Sequence, residues 1–298
     1  MQSITAKNLY SEWETKEFFF ISKDEVTDYA FSMAIVGDPQ KTVYYYPDEL
    51  HYTYDWIVNN KDAKNIQHVI TLGDITEFHG DEEYALIENE LKKLEDAGIK
   101  QSIVRGNHDT PDSFDKHITK EEYGSYLSGS FDNTKKNVYQ IVNLGNKKYL
   151  ILTIDYYPEA DVVDWAAGIV AANPDCSVII NTHGFLEPSM QSINNTQINY
   201  LNKNLIEKYE NIDLVLCGHS TCTGDNGPVY KTVTGENGNK IVEMMINPQE
   251  LERAKLEAFG LVSMFYFGND GKTITVEWYS TIRQAFYMEK YQFTFTIE

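Results

Sequence analysis

Apolar residues in this chain come in short runs that stop on a glycine and a polar residue, and the punctuation occurs five times. Phe31–Val36, 68–72, 101–104, Ser177–Asn181 and Ile212–Cys217 are runs of four to six mostly apolar residues, the length and texture of strands covered on both faces. Helical spacing separates them. Leu50, Tyr54 and Ile57 follow Asp48, which reads as a cap. Tyr84, Ile87, Leu91 and Leu94 recur every three or four residues after Asp81, and Gly98 closes that helix. The stretches 161–172 and 197–209 read as helices too. Residues 138–142 and 149–154 form a hairpin around Gly145-Asn146, and 110–137 reads as a long polar loop.

The pattern changes after residue 228. The runs 229–233 and 240–246 flank Glu236-Asn237-Gly238-Asn239, and 261–267 and 273–279 flank Asn269-Asp270-Gly271, both hairpin signals. A last strand covers 286–297, and 1–28 reads as an edge strand plus loop. Strand and helix thus alternate over two thirds of the chain, and the last third is expected to be antiparallel. This predicts one α/β domain over residues 1–298, with two stacked sheets and helices outside.

Composition narrows the function classes. The 298 residues are 42% hydrophobic, enough for a sizeable core. Acidic residues outnumber basic ones 45 to 25, for a net charge of −20. That argues against nucleic acid as a default partner and suits metal cations. No apolar run reaches the roughly 18 residues of a membrane span, and the start lacks the pattern of a signal peptide. Cys176, Cys217 and Cys222 give no disulfide framework; the first two read as small buried residues.

The strand ends carry the chemistry: Asp38 and Gln40, Asp74, Asn107 and His108, His183, and His219, each on or beside a glycine. A carboxylate at the tip of a buried strand does not serve the core, because an unpaired buried charge is costly. Oxygen and imidazole donors gathered on one rim suit Zn, Fe or Mn, and the lack of a cysteine cluster argues against a structural zinc site.

Taken in order, Gly73-Asp74-Ile75-Thr76-Glu77, Gly106-Asn107-His108-Asp109, Thr182-His183 and Gly218-His219 resemble the signature of the calcineurin-like metallophosphoesterase family. The resemblance runs from about residue 30 to the C-terminus, helped by Glu277-Trp278-Tyr279-Ser280. It implies two mixed sheets flanked by helices, with two metals at the strand tips and a small phosphate ester as substrate. It also implies that a hydroxide held by the metals attacks phosphorus. By the same resemblance Asp74 bridges the metals, Asn107, His183 and His219 complete one site, and Asp38 serves the other. His108 becomes the catalytic histidine, oriented by Asp109.

Two positions depart from the family pattern. Asp38-Pro39-Gln40 stands where Asp-x-His is usual, and Gly218-His219-Ser220-Thr221 where Gly-His-x-His is usual. One metal site is thus expected to be full and the other weakened, with His79, Cys222 or Asp225 as possible substitutes. The alternative function is a degenerate metal- or phosphate-binding domain of a larger exported protein. An extracellular or cell-surface bacterial location is expected by analogy. Arg105 and His79 are candidate substrate contacts alongside Asn107 and His108. Specificity is expected in loops 41–48, 78–82, 110–137 and 184–196, with Tyr44-Tyr45-Tyr46 packing a loop. His51, His68 and His117 read as isolated.

Overall fold

A computed structural model describes the backbone of Ile4–Lys7 and Trp13–Lys16 and residues 20–221, 227–249 and 260–298. β1 (Ile4–Lys7) and β2 (Trp13–Lys16) form an antiparallel ribbon, followed by the short β3 (Phe20–Ile21) and by β4 (Phe31–Val36). Then come α1 (Gln40–Tyr45), α2 (Pro47–Asn59), β5 (Ile66–Thr71), α3 (Asp81–Asp96) and β6 (Lys100–Ile103). α4 (Pro111–His117), α5 (Lys120–Tyr123) and β7 (Gly129–Ser130) lead to the hairpin of β8 (Val138–Leu144) and β9 (Lys147–Thr153). α6 (Ala160–Ala172), β10 (Ser177–Asn181), α7 (Thr196–Leu201) and β11 (Ile212–Cys217) follow, with a π-helical turn at Asn202–Ile206. The chain ends in β12 (Val229–Thr234), β13 (Lys240–Met245), β14 (Leu261–Phe267), β15 (Thr273–Ser280), β16 (Ala285–Tyr287) and β17 (Gln292–Thr296).

The strands build two mixed sheets. One runs β12-β13-β11-β10-β9-β8-β7, and the other β3-β16-β15-β14-β4-β5-β6, with β17 beside β15. In the first, β9, β10, β11 and β13 are mutually parallel; in the second, β4, β5 and β6 are. Strand alternation divides the core at β4. Phe31, Met33 and Ile35 join the large cluster that includes Leu150, Leu152, Val178 and Phe265. Ala34 and Val36 join a second cluster with Leu50, Tyr54 and Ile57 of α2 and Tyr84, Ile87, Leu91 and Leu94 of α3. The helical spacing read from the sequence is therefore the buried face of α2 and α3. Cys176 and Cys217 are buried free thiols.

Several expectations are corrected. The stretch 110–137 is not loop throughout: Thr110 precedes Pro111 at the first turn of α4, and Phe114, Ile118 and Tyr123 bury into the second cluster. Asp48 lies inside α2, whose first residue is Pro47. Residues 41–45 belong to α1 and not to a loop; from that helix Tyr44 packs edge-on against Phe78 of the 78–82 loop, while Tyr45 stays largely in solvent. The single strand read at 286–297 is β16 and β17, split by a 3-10 turn at Glu289–Tyr291. The last third is not wholly antiparallel, since β13 lies parallel to β11. No helix of the described residues is long and apolar enough to cross a membrane.

Candidate active site

The rim forms because β4, β5 and β6 of one sheet and β10, β11 and β13 of the other end on the same side. Asp38 lies just beyond β4, Asp74 beyond β5 and Asn107 beyond β6; His183, His219 and Asn247 follow β10, β11 and β13. Asp38, Asp74 and His219 have left-handed φ values of 38°, 48° and 66°. Such conformations cost roughly 1–3 kcal/mol each and persist where the surroundings impose them. Two glycines let the tips meet. A Cβ on Gly106 would lie 2.1 Å from the Asp74 nitrogen, and one on Gly218 2.0 Å from Asp38 Oδ1.

Four donor atoms converge. His183 Nε2 is 3.2 Å from Asp74 Oδ2 and 3.1 Å from Asn107 Oδ1, and His219 Nδ1 is 2.7 Å from the same Asn107 oxygen. Ligands held about 2.0–2.2 Å from one cation lie roughly 3 Å apart, so this spacing suits a shared ion. Asp74, His183 and His219 present their donor atoms within 4.8 Å of one another. His183 Nδ1 lies 2.7 Å from the Leu72 carbonyl, which can only accept, so Nδ1 carries a proton and Nε2 is the nitrogen turned to the centre. Burial opposes charge on His183, but Asp74 and Asp38 carry its pKa up to about 9. Burial likewise works against the Asp74 carboxylate, yet His183 and the His108 N–H hold its pKa below the ordinary value. His219 is pushed down to about 4, by burial first and then by His183. The centre thus concentrates negative charge behind nitrogen donors.

His108 sits beside this cluster, and its backbone N–H donates to Asp74 Oδ1 at 2.9 Å. Its Nδ1 donates to the Glu77 carbonyl at 2.8 Å, leaving Nε2 free, and the Glu77 carboxylate lies 3.9 Å from Nδ1. Glu77 is buried and ion-paired with Lys41 of α1. The expectation that Asp109 orients His108 is overturned. Asp109 is buried and accepts instead from the nitrogens of Ile75, Thr76 and Gly106 and from the Thr76 hydroxyl, at 2.8–3.0 Å. It ties the Asp74 and Asn107 loops together. Arg105 as a substrate contact is corrected as well: its Nε meets Asp155 at 2.6 Å and its Nη1 donates to the carbonyls of Gly106 and Asp109. Those bonds turn the buried guanidinium into a clamp under the loop. His79 is exposed on a left-handed turn (φ 49°).

The second half-site is Asp38 with Gln40, which opens α1. Both are buried, and Asp38 Oδ1 and Gln40 Oε1 have no hydrogen-bond partner among the described residues. Asp38 Oδ2 accepts from the His219 nitrogen at 2.8 Å and from Asn247 Nδ2 at 2.6 Å. Burial pushes the Asp38 carboxyl well above its usual range. Two orphaned buried acceptors are what a cation would satisfy, so the residues present fit a second ion. Thr221 is half-buried beyond His219. Of the three suggested substitutes, His79 is exposed, and Cys222 and Asp225 lie outside the described residues.

Sequence reasoning missed three members of this rim. Glu77 was in the recognised motif without a role. Asn247 follows an apolar run just as the other five tips do, but that run reads as one arm of a hairpin. Tyr156, whose ring centroid lies 5.5 Å from His183 and 5.3 Å from His219, had no signal. Of the other histidines, His68 is core, 3.0 Å from Ser102 Oγ. His117 and His51 are not isolated: His117 pairs with Glu88 and Asp81, and His51 meets Asp55, Glu90 and Lys93.

Comparison with known proteins bears on the family and the fold. A family model described as calcineurin-like phosphoesterase matches residues 31–222. Comparison with curated protein sequences gives no match. Among solved structures, a dimetal phosphatase from Danio rerio has a TM-score of 0.54 at 12% identity, covering 91% of this chain and 100% of that one. A purple acid phosphatase from yellow lupin seeds has a TM-score of 0.56 at 10% identity, covering 99% of this chain and 59% of that one. The anchor in the inner membrane complex of Plasmodium has a TM-score of 0.54 at 12% identity, covering 90% and 89%. At these identities the likeness is one of fold.

Proposed function

The chain belongs to the calcineurin-like phosphoesterase family, and from that premise we propose that it hydrolyses phosphomonoesters or phosphodiesters in a metal-dependent reaction at this rim. The observation that carries the reading is the convergence of Asp74, Asn107, His183 and His219 beside the two orphaned acceptors of Asp38 and Gln40. Bound Zn, Mn or Fe ions would supply charge stabilisation at the phosphoryl oxygens and a nucleophile at neutral pH. The remaining work falls to the chain. Asp74 and His183 hold their donors in fixed orientations through the His108 and Leu72 backbone groups. His108, with Nδ1 committed to the Glu77 carbonyl, offers Nε2 to hold and deliver a proton to the leaving oxygen. Arg105 and Asp109 keep the loop that carries Asn107 and His108 in place.

Turnover of p-nitrophenyl phosphate or its bis ester by metal-loaded protein tests the reading. Activity should be lost with chelator and fall steeply in His108→Ala, while that variant keeps its metal in elemental analysis. Two bound metals without turnover of either ester would overturn the proposal.

Gln40 and Thr221 favour a second reading, in which one ion binds and turnover is slow or absent. An amide oxygen is a weaker donor than imidazole, and a neutral hydroxyl weaker still. Replacing both, Gln40→His with Thr221→His, should raise second-metal occupancy. Unchanged stoichiometry in that double variant would mean other residues already complete the site.

A further inference from the structure

Tyr156 stands against the metal cluster and takes no part in the proposed chemistry. It lies just past β9, and three constraints fix it there. Its backbone nitrogen donates to Asp155 Oδ1 at 2.8 Å, and the same oxygen accepts from Arg105 Nε at 2.6 Å. The segment that carries Tyr156 is therefore tied to the clamp beneath Asn107 and His108. Its ring stacks on Tyr157 at 4.0 Å between centroids and 17° between planes. Tyr157 itself holds a left-handed φ of 51°, a conformation that persists where the surroundings impose it. Gly184, next to His183, completes the fit. A Cβ there would lie 2.9 Å from Tyr156 Cε2 and 3.2 Å from Tyr157 Cε1, so a side chain at this position would push against both rings.

Held in this way, the ring meets two of the metal-cluster histidines at once. Its centroid lies 5.5 Å from His183 at 64° and 5.3 Å from His219 at 49°, and the two imidazoles lie 5.1 Å apart at 70°. Aromatic rings attract at such spacings and tilts. The two histidines differ in their other support. His183 has its Nδ1–H on the Leu72 carbonyl, the kind of hydrogen bond that ordinarily orients a metal-binding imidazole. His219 Nδ1 faces Asn107 across the centre, and among the described residues no hydrogen bond reaches its Nε2. Resting on the metal-dependent reading, we propose that Tyr156 is the positioning residue of His219. Its ring fixes that imidazole by packing, in place of the outer hydrogen bond that His183 has, and so sets the metal affinity of the Asp74, Asn107, His183 and His219 site.

Metal-free protein is the sample for the first measurement. In its proton–carbon NMR spectrum the His219 imidazole signals should carry the ring-current shift of Tyr156. Tyr156→Ala should remove that shift and Tyr156→Phe should keep it. Zinc affinity, read by competition with a chelating dye, should fall by about 10–100-fold in Tyr156→Ala, the loss that follows when the outer support of a ligand is removed. Tyr156→Phe should restore most of it, because it returns the ring without the hydroxyl. Tyr156→Leu, which keeps bulk but has no ring, should be as weak as Tyr156→Ala and takes its place if the alanine variant does not fold. A tyrosine that only fills space would lower the urea midpoint of Tyr156→Ala and leave zinc affinity and the His219 signals where they were, which overturns the proposal. A phenylalanine variant as weak as the alanine one overturns it too. None of these readings needs turnover, so a protein that binds zinc through this arrangement and cleaves no ester would sink the phosphoesterase reading alone.

Discussion

His108 and Asn247 contact different carboxylates of the centre, Asp74 and Asp38, and their variants should fail differently. His108→Ala keeps every donor of the metal cluster and removes only the proton donor, so kcat should fall by about 10²–10⁴-fold with metal content intact. Steady-state kinetics beside elemental analysis checks both halves of that statement. Asn247→Ala takes away the amide that holds Asp38 Oδ2 at 2.6 Å. The expected result is a loss of about 10–100-fold in metal affinity at the Asp38 half-site, read by competition with a chelating dye. Asp38, Asp74, Asn107, His183 and His219 were legible in the sequence because a polar residue after a buried run is costly unless it has a partner. The partners of His108 and Asp109 were not legible. Adjacency in the chain suggested that they touch, but the backbone turns Asp109 inward to four donors and brings Glu77, thirty-one residues away, to the imidazole.

Between residues and the molecule stand the elements, and here the glycine at the end of β6 is decisive. Gly106→Ala would put a methyl 2.1 Å from the Asp74 nitrogen and 2.2 Å from its Oδ1. Neither atom belongs to a flexible end, so the β5 and β6 tips must separate. A destabilisation of roughly 1–3 kcal/mol is expected, with metal binding lost, as measured by urea denaturation and metal analysis. Strands and long helices were readable because burial imposes periods of 2 and 3.6 residues. α1, α4 and α5 were not, since four to seven residues give too few turns for a period to emerge. The direction of β13 was hidden for another reason: nothing local distinguishes a hairpin arm from one that also has a parallel neighbour.

Over the whole molecule, one buried lysine should contribute a rise in stability toward alkaline pH. Lys135 is almost fully buried, donates to the Tyr123 carbonyl, lies over the Tyr126 ring at 5.6 Å, and has Glu95 and Lys120 as its charged neighbours. Burial pushes its pKa down to about 7. Unfolding restores the ordinary value near 10.5, so between about pH 7 and 10.5 the unfolded chain binds a proton that the folded one lacks. Stability from this group therefore rises with pH across that window, and below it the penalty is complete. The full span is roughly 3–5 kcal/mol at 1.36 kcal/mol per unit. Lys135→Met should flatten the slope, as seen by comparing urea midpoints of the two proteins at pH 7 and pH 10. The same scale gives the rim a further property. Its donors are bolted to two separate sheets, Asp38, Asp74 and Asn107 to one and His183, His219 and Asn247 to the other, and they meet at 2.6–3.2 Å. The centre is thus a strain gauge mounted across a seam. Ile151→Ala would open a void between the sheets, since Ile151 shares a face of β9 with Tyr149, whose ring meets Phe31 and Phe267 of the other sheet. It should register at the rim as several-fold weaker ion binding, and by reciprocity a bound ion should stiffen that distant seam, as slower amide exchange along β9 would reveal.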